Sequence, residues 1–405
     1  MSTMQGVIDR SRRLAAPRAV AIAGIALGVL AIWLALPPWT AESLGFPIAA
    51  GFLGVAAGLY ALMREERRLG WWAVGVAVGG TAAALWLQGR DTETLSAIFG
   101  TGLVAAMLRF ATPLAFAAIG GVFSERAGVV NIGLEGMMLA GAFFGIWATA
   151  WSGSWIIGLL MAMAFGGFFG LIHAFFSIHL RTDQIVSGFA INFLALGLTG
   201  YLFRSIYGTQ GTPSGVDRIP DVHLPLEWMR GVGLGRFIDD VFGQLNLMIW
   251  LMFIVLIVAW LVLFRTPIGL RLRAVGEHPR AADTVGINVY AVRYAAVVAS
   301  GMLAALGGAY LSIGFGGSFN ENMTAGRGFI ALAAVILGKW SPLGAFGATL
   351  LFGFGFAISI PLQREADISA NLLSTLPYVL TLIALVGVIG RSIPPAAVGR
   401  PYSKQ

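Results

Sequence analysis

"LMIWLMFIVLIVAWLVLF", residues 247–264, runs for eighteen residues without a charge, a proline or a glycine. A stretch this apolar is close to the roughly 20 residues that carry a helix across the hydrocarbon core of a bilayer. It is too continuously apolar to alternate inward and outward as a barrel strand. Lipid offers no hydrogen bonds to a bare backbone, so the run must satisfy itself as a helix.

The surroundings of this run have the same character. The chain has 405 residues, 58% hydrophobic and only 11% charged, where a soluble domain carries about 25% charged residues. With too little polar surface to face water, the expected fold is an all-α, polytopic helical membrane protein of about 10–12 transmembrane helices. The apolar runs fall near residues 19–36, 47–63, 70–88, 103–122, 128–150, 154–178, 184–204, 246–264, 291–313, 327–338, 343–361 and 372–390. Arg109 and Pro113 interrupt the fourth, leaving residues 94–109 either inside it or along the outer interface. The run at 327–338 is too short for a full span and reads as a half-helix. The first run follows a basic start, but no convincing cleavage site follows it, so it is read as a retained helix.

Basic residues fix an orientation. With the amino terminus inside, most of the 26 Lys and Arg residues fall in inner segments, among them Arg12, Arg13, Arg67, Arg68, Arg126, Arg181, Arg271, Arg273 and Arg280. The outer segments collect acids such as Asp91, Glu93, Asp217, Asp239, Asp240 and Asp367. This inside-positive bias puts both termini in the cytoplasm. It also accounts for the net charge of +7 without any nucleic-acid partner. The absence of cysteine excludes disulfides, thiolate metal sites and thiol nucleophiles. Residues 1–93 read as an extension of about three helices, separated by "LQGRDTETLS" from a main domain over 94–395, with a cytoplasmic tail at 396–405.

Polar residues inside such a chain are the candidates for function. In "SERAGVVNIGLEGMMLAG" (124–141), Asn131 and Glu135 are four apart and share one helix face. Glu125 and Arg126 read as inner-interface anchors. Glu135 is either a structural partner for a neighbouring helix or, with Asn131, part of a translocation route. Ser187 and Asn192 in "RTDQIVSGFAINF" are further candidates for that route, Asn192 being equally suited to interhelical hydrogen bonding. Asp183 suits a helix start. His173 and His179 are six apart on nearly opposite faces and do not suit a metal pair. Asn320, Asn322 and Thr324 belong either to a plain outer loop or to one that meets cargo. A faint echo links "NIGLEGMMLAGAFFG" with "TAGRGFIALAAVILG", and the two run in opposite directions, as in an inverted repeat.

The longest inner connection, residues 265–290, holds "EHPRAADTVG". Pro279 suits a first helical turn, Ala281, Ala282 and Asp283 continue it, and Gly286 suits a left-handed stop. By pattern this is either a docking lever or an amphipathic connector held at the headgroups by Arg280 and its neighbours.

Four segments, "SERAGVVNIGLEGMMLAGAF", "TDQIVSGFAINFLALGLTGY", "GLRLRAVGEHPRAADTVGINV" and "GRGFIALAAVILGKWSPLGAFGATLLFGFGFAI", closely resemble the permease subunits of bacterial ABC importers. The group is the one for simple sugars and nucleosides, related to ribose and branched-chain amino acid permeases. The resemblance covers about residues 95–395 in the same order. It implies a multi-pass protein of the bacterial inner membrane working with a cytoplasmic ABC ATPase, an extracytoplasmic substrate-binding lipoprotein and a second permease subunit of a different kind. It also implies a coupling helix seated in the ATPase, which here maps to Gly276, Glu277, His278, Pro279, Arg280, Ala281, Ala282, Asp283 and Gly286.

No G-x-x-x-x-G-K-[ST] loop occurs in the chain, so a transport subunit without its own ATPase site is expected. It needs no cofactor itself, the ATP and Mg being used by the partner. Nucleosides are the expected cargo, carried past Asn131, Glu135, Asn192 and Ser187, with a simple sugar as the alternative. A proton-driven transporter using Glu135 would leave the coupling-type loop unexplained. An intramembrane enzyme lacks a nucleophile–base set, and a channel lacks a repeated pore loop.

Overall fold

The computed structural model describes residues 17, 19–33, 45–87, 100–208, 211–213, 215–229, 233–365, 369–373, 375–377, 379 and 392–404. They fall into two compact units. One comprises Met1–Leu103, Leu226–Asp240 and Pro361–Asp367, the other Val104–Pro225, Val241–Ile360 and Ile368–Gln405. Among the described residues, 8 helices are long and apolar enough to cross a membrane. The expected span at 372–390 lies mostly outside the described residues.

The first unit is built on α1 (Ala19–Trp33), α2 (Gly45–Met63) and α3 (Arg67–Leu87). Their contacts run through small residues. A Cβ on Gly28 would stand 2.6 Å from the Ala77 nitrogen, and one on Gly80 would stand 2.3 Å from the Gly28 carbonyl oxygen. Close approach of this kind is how helices associate in lipid, which gives no hydrophobic drive of its own. Phe46, Phe52, Trp71 and Trp86 point outward.

The second unit contains α4 (Thr101–Arg126, all but its first turn), α5 (Leu134–Ser152), α6 (Trp155–Ala174) and α7 (Gln184–Tyr207). It continues with α8 (Leu247–Arg265), α9 (Pro267–Glu277), α10 (Pro279–Thr284), α11 (Val289–Ala309), α12 (Arg327–Leu337) and α13 (Pro342–Glu365, up to Ile360). Both α6 and α11 pass into π-helical turns, at Phe175–His179 and Tyr310–Gly316. A short antiparallel ribbon pairs β1 (Asp221–His223) with β2 (Gln244–Asn246), Asp221 facing Asn246.

Helices α5, α6 and α11 form the centre of this unit. A Cβ on Gly141 would be 2.2 Å from the Ala305 carbonyl oxygen, and one on Gly166 would be 2.4 Å from that of Gly301. Backbones this close leave no room for lipid or water, so α5 is buried along most of its length.

Three expectations on the boundaries meet the structure here, residues 94–99 lying outside those described. Helix α4 runs straight through Arg109 and Pro113. The Thr112 hydroxyl donates to the Leu108 carbonyl at 2.7 Å in the turn that contains Pro113. The fifth run, expected from residue 128, becomes helical only at Leu134, because residues 127–133 follow an irregular path through protein. The half-helix expected at 327–338 is α12, 11 residues long.

Candidate functional site

The irregular segment 127–133 needs partners for its backbone, since a buried peptide group left alone is costly. The polar side chains of α6 and α7 supply them. Gln184 Oε1 accepts from the Val130 N–H at 2.7 Å, and His173 Nε2 lies 3.0 Å from the Val130 carbonyl. A carbonyl only accepts, so Nε2 carries the proton and Nδ1 accepts from Ser187 Oγ at 3.0 Å. Asn192 grips both sides of the next turn, donating to the Ile132 carbonyl at 3.0 Å and accepting from the Gly136 N–H at 2.7 Å.

Helices α5 and α12 begin against one another at the end of this segment. A Cβ on Gly328 would stand 2.4 Å from the Glu135 backbone. The Glu135 carboxylate accepts from the Gly326 N–H at 2.8 Å and the Gly328 N–H at 2.6 Å. A helix start has unpaired N–H groups and a partial positive charge, and a carboxylate answers both. Asn131 donates to Ser300 Oγ at 2.9 Å, while its own Oδ1 has no partner among the described residues. The four candidate pathway residues therefore converge on segment 127–133 and the start of α5, with the buried Glu135 and Ser187 and the half-buried Asn192 engaged there and Asn131 keeping an unused acceptor.

The far end of α12 closes on the end of α4. Trp340, in a left-handed conformation at φ 53, donates its indole N–H to Glu125 and accepts from Arg126 Nε at 2.7 Å through its carbonyl. Glu125 is buried, so these two residues, expected as interface anchors, instead grip the turn after α12.

At the same end stands the loop pair α9–α10. Thr266 caps α9, accepting from the Gly269 N–H at 3.3 Å. His278 breaks the helix, Pro279 opens α10, and Gly286 takes φ +85 to end the turn. Gly276 lies directly on α4, where a Cβ would be 2.0 Å from the Arg126 carbonyl oxygen. Ala282 is buried with Val275, Val289 and Tyr402, while Val285 faces outward.

The tail holds this pair. Ala397 N–H donates to the Gly276 carbonyl at 2.9 Å, and Ala396 N–H to Glu277 Oε2 at 3.1 Å. Further on, Gly399 N–H meets the Gly128 carbonyl at 3.3 Å and the Arg400 carbonyl accepts from Arg293 Nη1 at 3.1 Å. Lys404 Nζ lies 3.9 Å from Asp283. A cleft of about 510 Å³ separates tail from α10, lined by His278, Arg280, Arg400 and Tyr402 among others.

At the opposite end of α7, Arg204 forms a two-point fork with Glu321, Nε to Oε1 and Nη2 to Oε2 both at 2.7 Å. This pair edges an open cleft of about 770 Å³ that also contains Leu196, Gly197, Gly200, Tyr201 and Ser205. The hydrogen bond from Arg204 holds the Glu321 carboxyl below the usual carboxylate range. Asn320 and Asn322 are exposed beside Glu321, and Thr324 is buried.

Sequence spacing did not point to His173, the tail or the fork. Their partners lie 43, 119 and 117 residues away. Tyr201 and Arg204, three apart on one face of α7, were the available signal for the fork. Among the described residues, no group of three or more His, Asp or Glu side chains is placed to hold a metal ion.

Comparison with known proteins gives the geometry its context. Residues 103–386 match the family described as branched-chain amino acid transport system / permease component. The chain is 46% identical to the guanosine ABC transporter permease protein NupQ of Bacillus subtilis over 318 residues, covering 75% of this chain and 96% of that protein. It is 42% identical to the nucleoside ABC transporter permease protein NupC of Lactococcus lactis, again over 75% and 96%. A putative glucose ABC transporter permease protein of Haloferax volcanii is 33% identical over 71% of this chain and 91% of its own length. No solved structure matches.

Proposed function

This chain belongs to the permease-component family of the branched-chain amino acid transport systems, and from that premise we propose that it is one half of an ATP-driven importer of nucleosides. It is a multi-pass membrane protein. In this reading the end bearing α9 and α10 is cytoplasmic, as the excess of Lys and Arg there requires. An ABC ATPase supplies the energy, an extracytoplasmic lipoprotein delivers cargo, and a second, different permease subunit completes the path. The chain itself holds no ATPase site. Residues 1–93 are an extension outside the permease domain.

The observation that carries the reading is the seat of the α9–α10 pair. The pair turns at His278, and α9 meets α4 at Gly276 with no side chain between, so a push on α10 passes through α9 to Arg126. Arg126 holds Trp340, which ends α12, and α12 begins on Glu135. The lever thus leads by direct contacts to the buried helix start, where Asn131, Glu135, Asn192 and Ser187 shape the route.

Replacing Gly276 and Pro279 with alanine tests this. A Cβ at 276 displaces α9 from α4, so guanosine uptake by the native host is expected to drop by roughly tenfold or more. The protein should remain at its normal level in the membrane, and ATPase stimulation should be lost. Undiminished uptake with normal stimulation would remove the lever. Purified alone in vesicles, the chain should accumulate no nucleoside.

A further inference from the structure

The cleft beside Arg204 has features that the import reading does not assign. Gly197, Gly200, Tyr201 and Arg204 fall at three- and four-residue spacings and share one face of α7. A Cβ on Gly197 would meet nothing within 4 Å, and one on Gly200 would meet only Glu321 Oε2, at 3.7 Å. Two glycines therefore leave a recess that no neighbouring side chain fills. Beside it Tyr201 is 70% exposed and lines the recess.

The wall of the recess is largely apolar, with a polar edge of Arg204, Glu321 and Ser205 that carries no net charge. Glu321 engages Arg204 through Nε and Nη2, so three of the five guanidinium N–H groups remain to donate. The carboxylate keeps lone pairs to accept, and Ser205 adds a hydroxyl that does either. A phosphate would have to displace Glu321 to be neutralised, which disfavours nucleotides and lipid headgroups. What fits is a flat, uncharged ring with donors and acceptors on its edge, lying on the face of Tyr201.

We infer that the cleft formed by Tyr201, Arg204 and Glu321 receives the nucleobase of the cargo at the outer mouth of the permease. This rests on the import reading and narrows it. Stacking of a base on an aromatic ring favours nucleosides over plain sugars. The segment that brings Glu321 to α7 also leads to Gly326, so an occupied cleft sits at the head of the chain of contacts that ends on Glu135.

The test replaces the chromosomal copy in the native host and uses labelled guanosine as the probe. Tyr201→Leu keeps bulk but removes the ring. It should lower the maximal uptake rate about tenfold, within the range a lost base stack costs. Stimulation of the ATPase by guanosine-loaded binding protein, measured in membranes from the same cells, should be unchanged. Tyr201→Phe should transport within about twofold of the parent. The exchange Arg204→Glu with Glu321→Arg preserves the ion pair and reverses donor and acceptor, so it should remain defective in uptake. Normal uptake in Tyr201→Leu, a Phe variant as impaired as Leu, or an exchange variant restored to the parental rate would each overturn the subsite. ATPase stimulation falling in step with uptake would overturn it too, by making the cleft a docking or folding element. If the parent strain takes up no more guanosine than a deletion strain, the import reading itself falls and takes the subsite with it.

Discussion

Glu135 and Glu321 are two carboxylates in the same unit, each held by two donors at nearly the same distances, 2.8 and 2.6 Å for one and 2.7 and 2.7 Å for the other. Their surroundings differ. Glu135 is 8% exposed, and its donors are the backbone of a helix start. The Glu321 side chain is 40% exposed, and its donor is an arginine itself 72% exposed. In the first place the bonds replace water for groups that have no other partner, so they hold the fold together. In the second place water competes for every bond, so the pair contributes little to stability and is free to open toward a ligand. Equal hydrogen-bond lengths thus say little about role until burial is known.

The comparison is broken most readily at Glu135. Glu135→Ala leaves the Gly326 and Gly328 N–H groups buried without partners and should cost about 3 kcal/mol or more. That loss is readable as a lower midpoint of thermal unfolding in detergent. A midpoint equal to the parent's would mean that water reaches this helix start and that the two carboxylates do not differ. Asn192→Leu sharpens the same point on a smaller scale. It removes the grip on Ile132 and Gly136, which is half-buried, and should cost about 1–2 kcal/mol by the same measurement. Glu321→Gln, by contrast, should leave the unfolding midpoint where it is.

The smallest expected effect is that of pH. The Glu321 carboxyl is held below its ordinary value by Arg204. A depressed carboxylate contributes stability above its unfolded pKa of about 4.3 and loses it as pH falls through the lower folded value. Guanosine uptake should therefore be flat between about pH 5 and pH 8. A decline within that window, measured in cells held at constant energisation, would show that some other titrating group governs the cycle.

Much of the fold was readable from composition. A run such as 247–264 admits one structure in lipid, and α8 covers nearly the same residues. The same signal misplaced the start of α5, because an apolar stretch shielded by protein reads alike whether helical or extended. Only the partners of residues 127–133, supplied from α6 and α7, decide the matter. The candidate site was legible in its residue types but not in its pairings. Asp183 was readable as a helix start because its partners, the Ile185 and Val186 N–H groups, are two and three residues on. His173 was not, since what it grips is a backbone carbonyl, which carries no side-chain signature. The tail escaped for the same reason, as three of its contacts pass through main-chain amides.

That tail also sets an order of assembly. Residues 396–404 leave the ribosome after every span described here, yet Ala396, Ala397 and Tyr402 complete the underside on which α9 and α10 rest. The face formed by α9 and α10 is therefore unfinished until residues 396–402 have been made. A chain stalled before residue 396 would leave the Gly276 carbonyl and the Glu277 carboxylate without these two amide partners, and Ala282 without its cover of Tyr402.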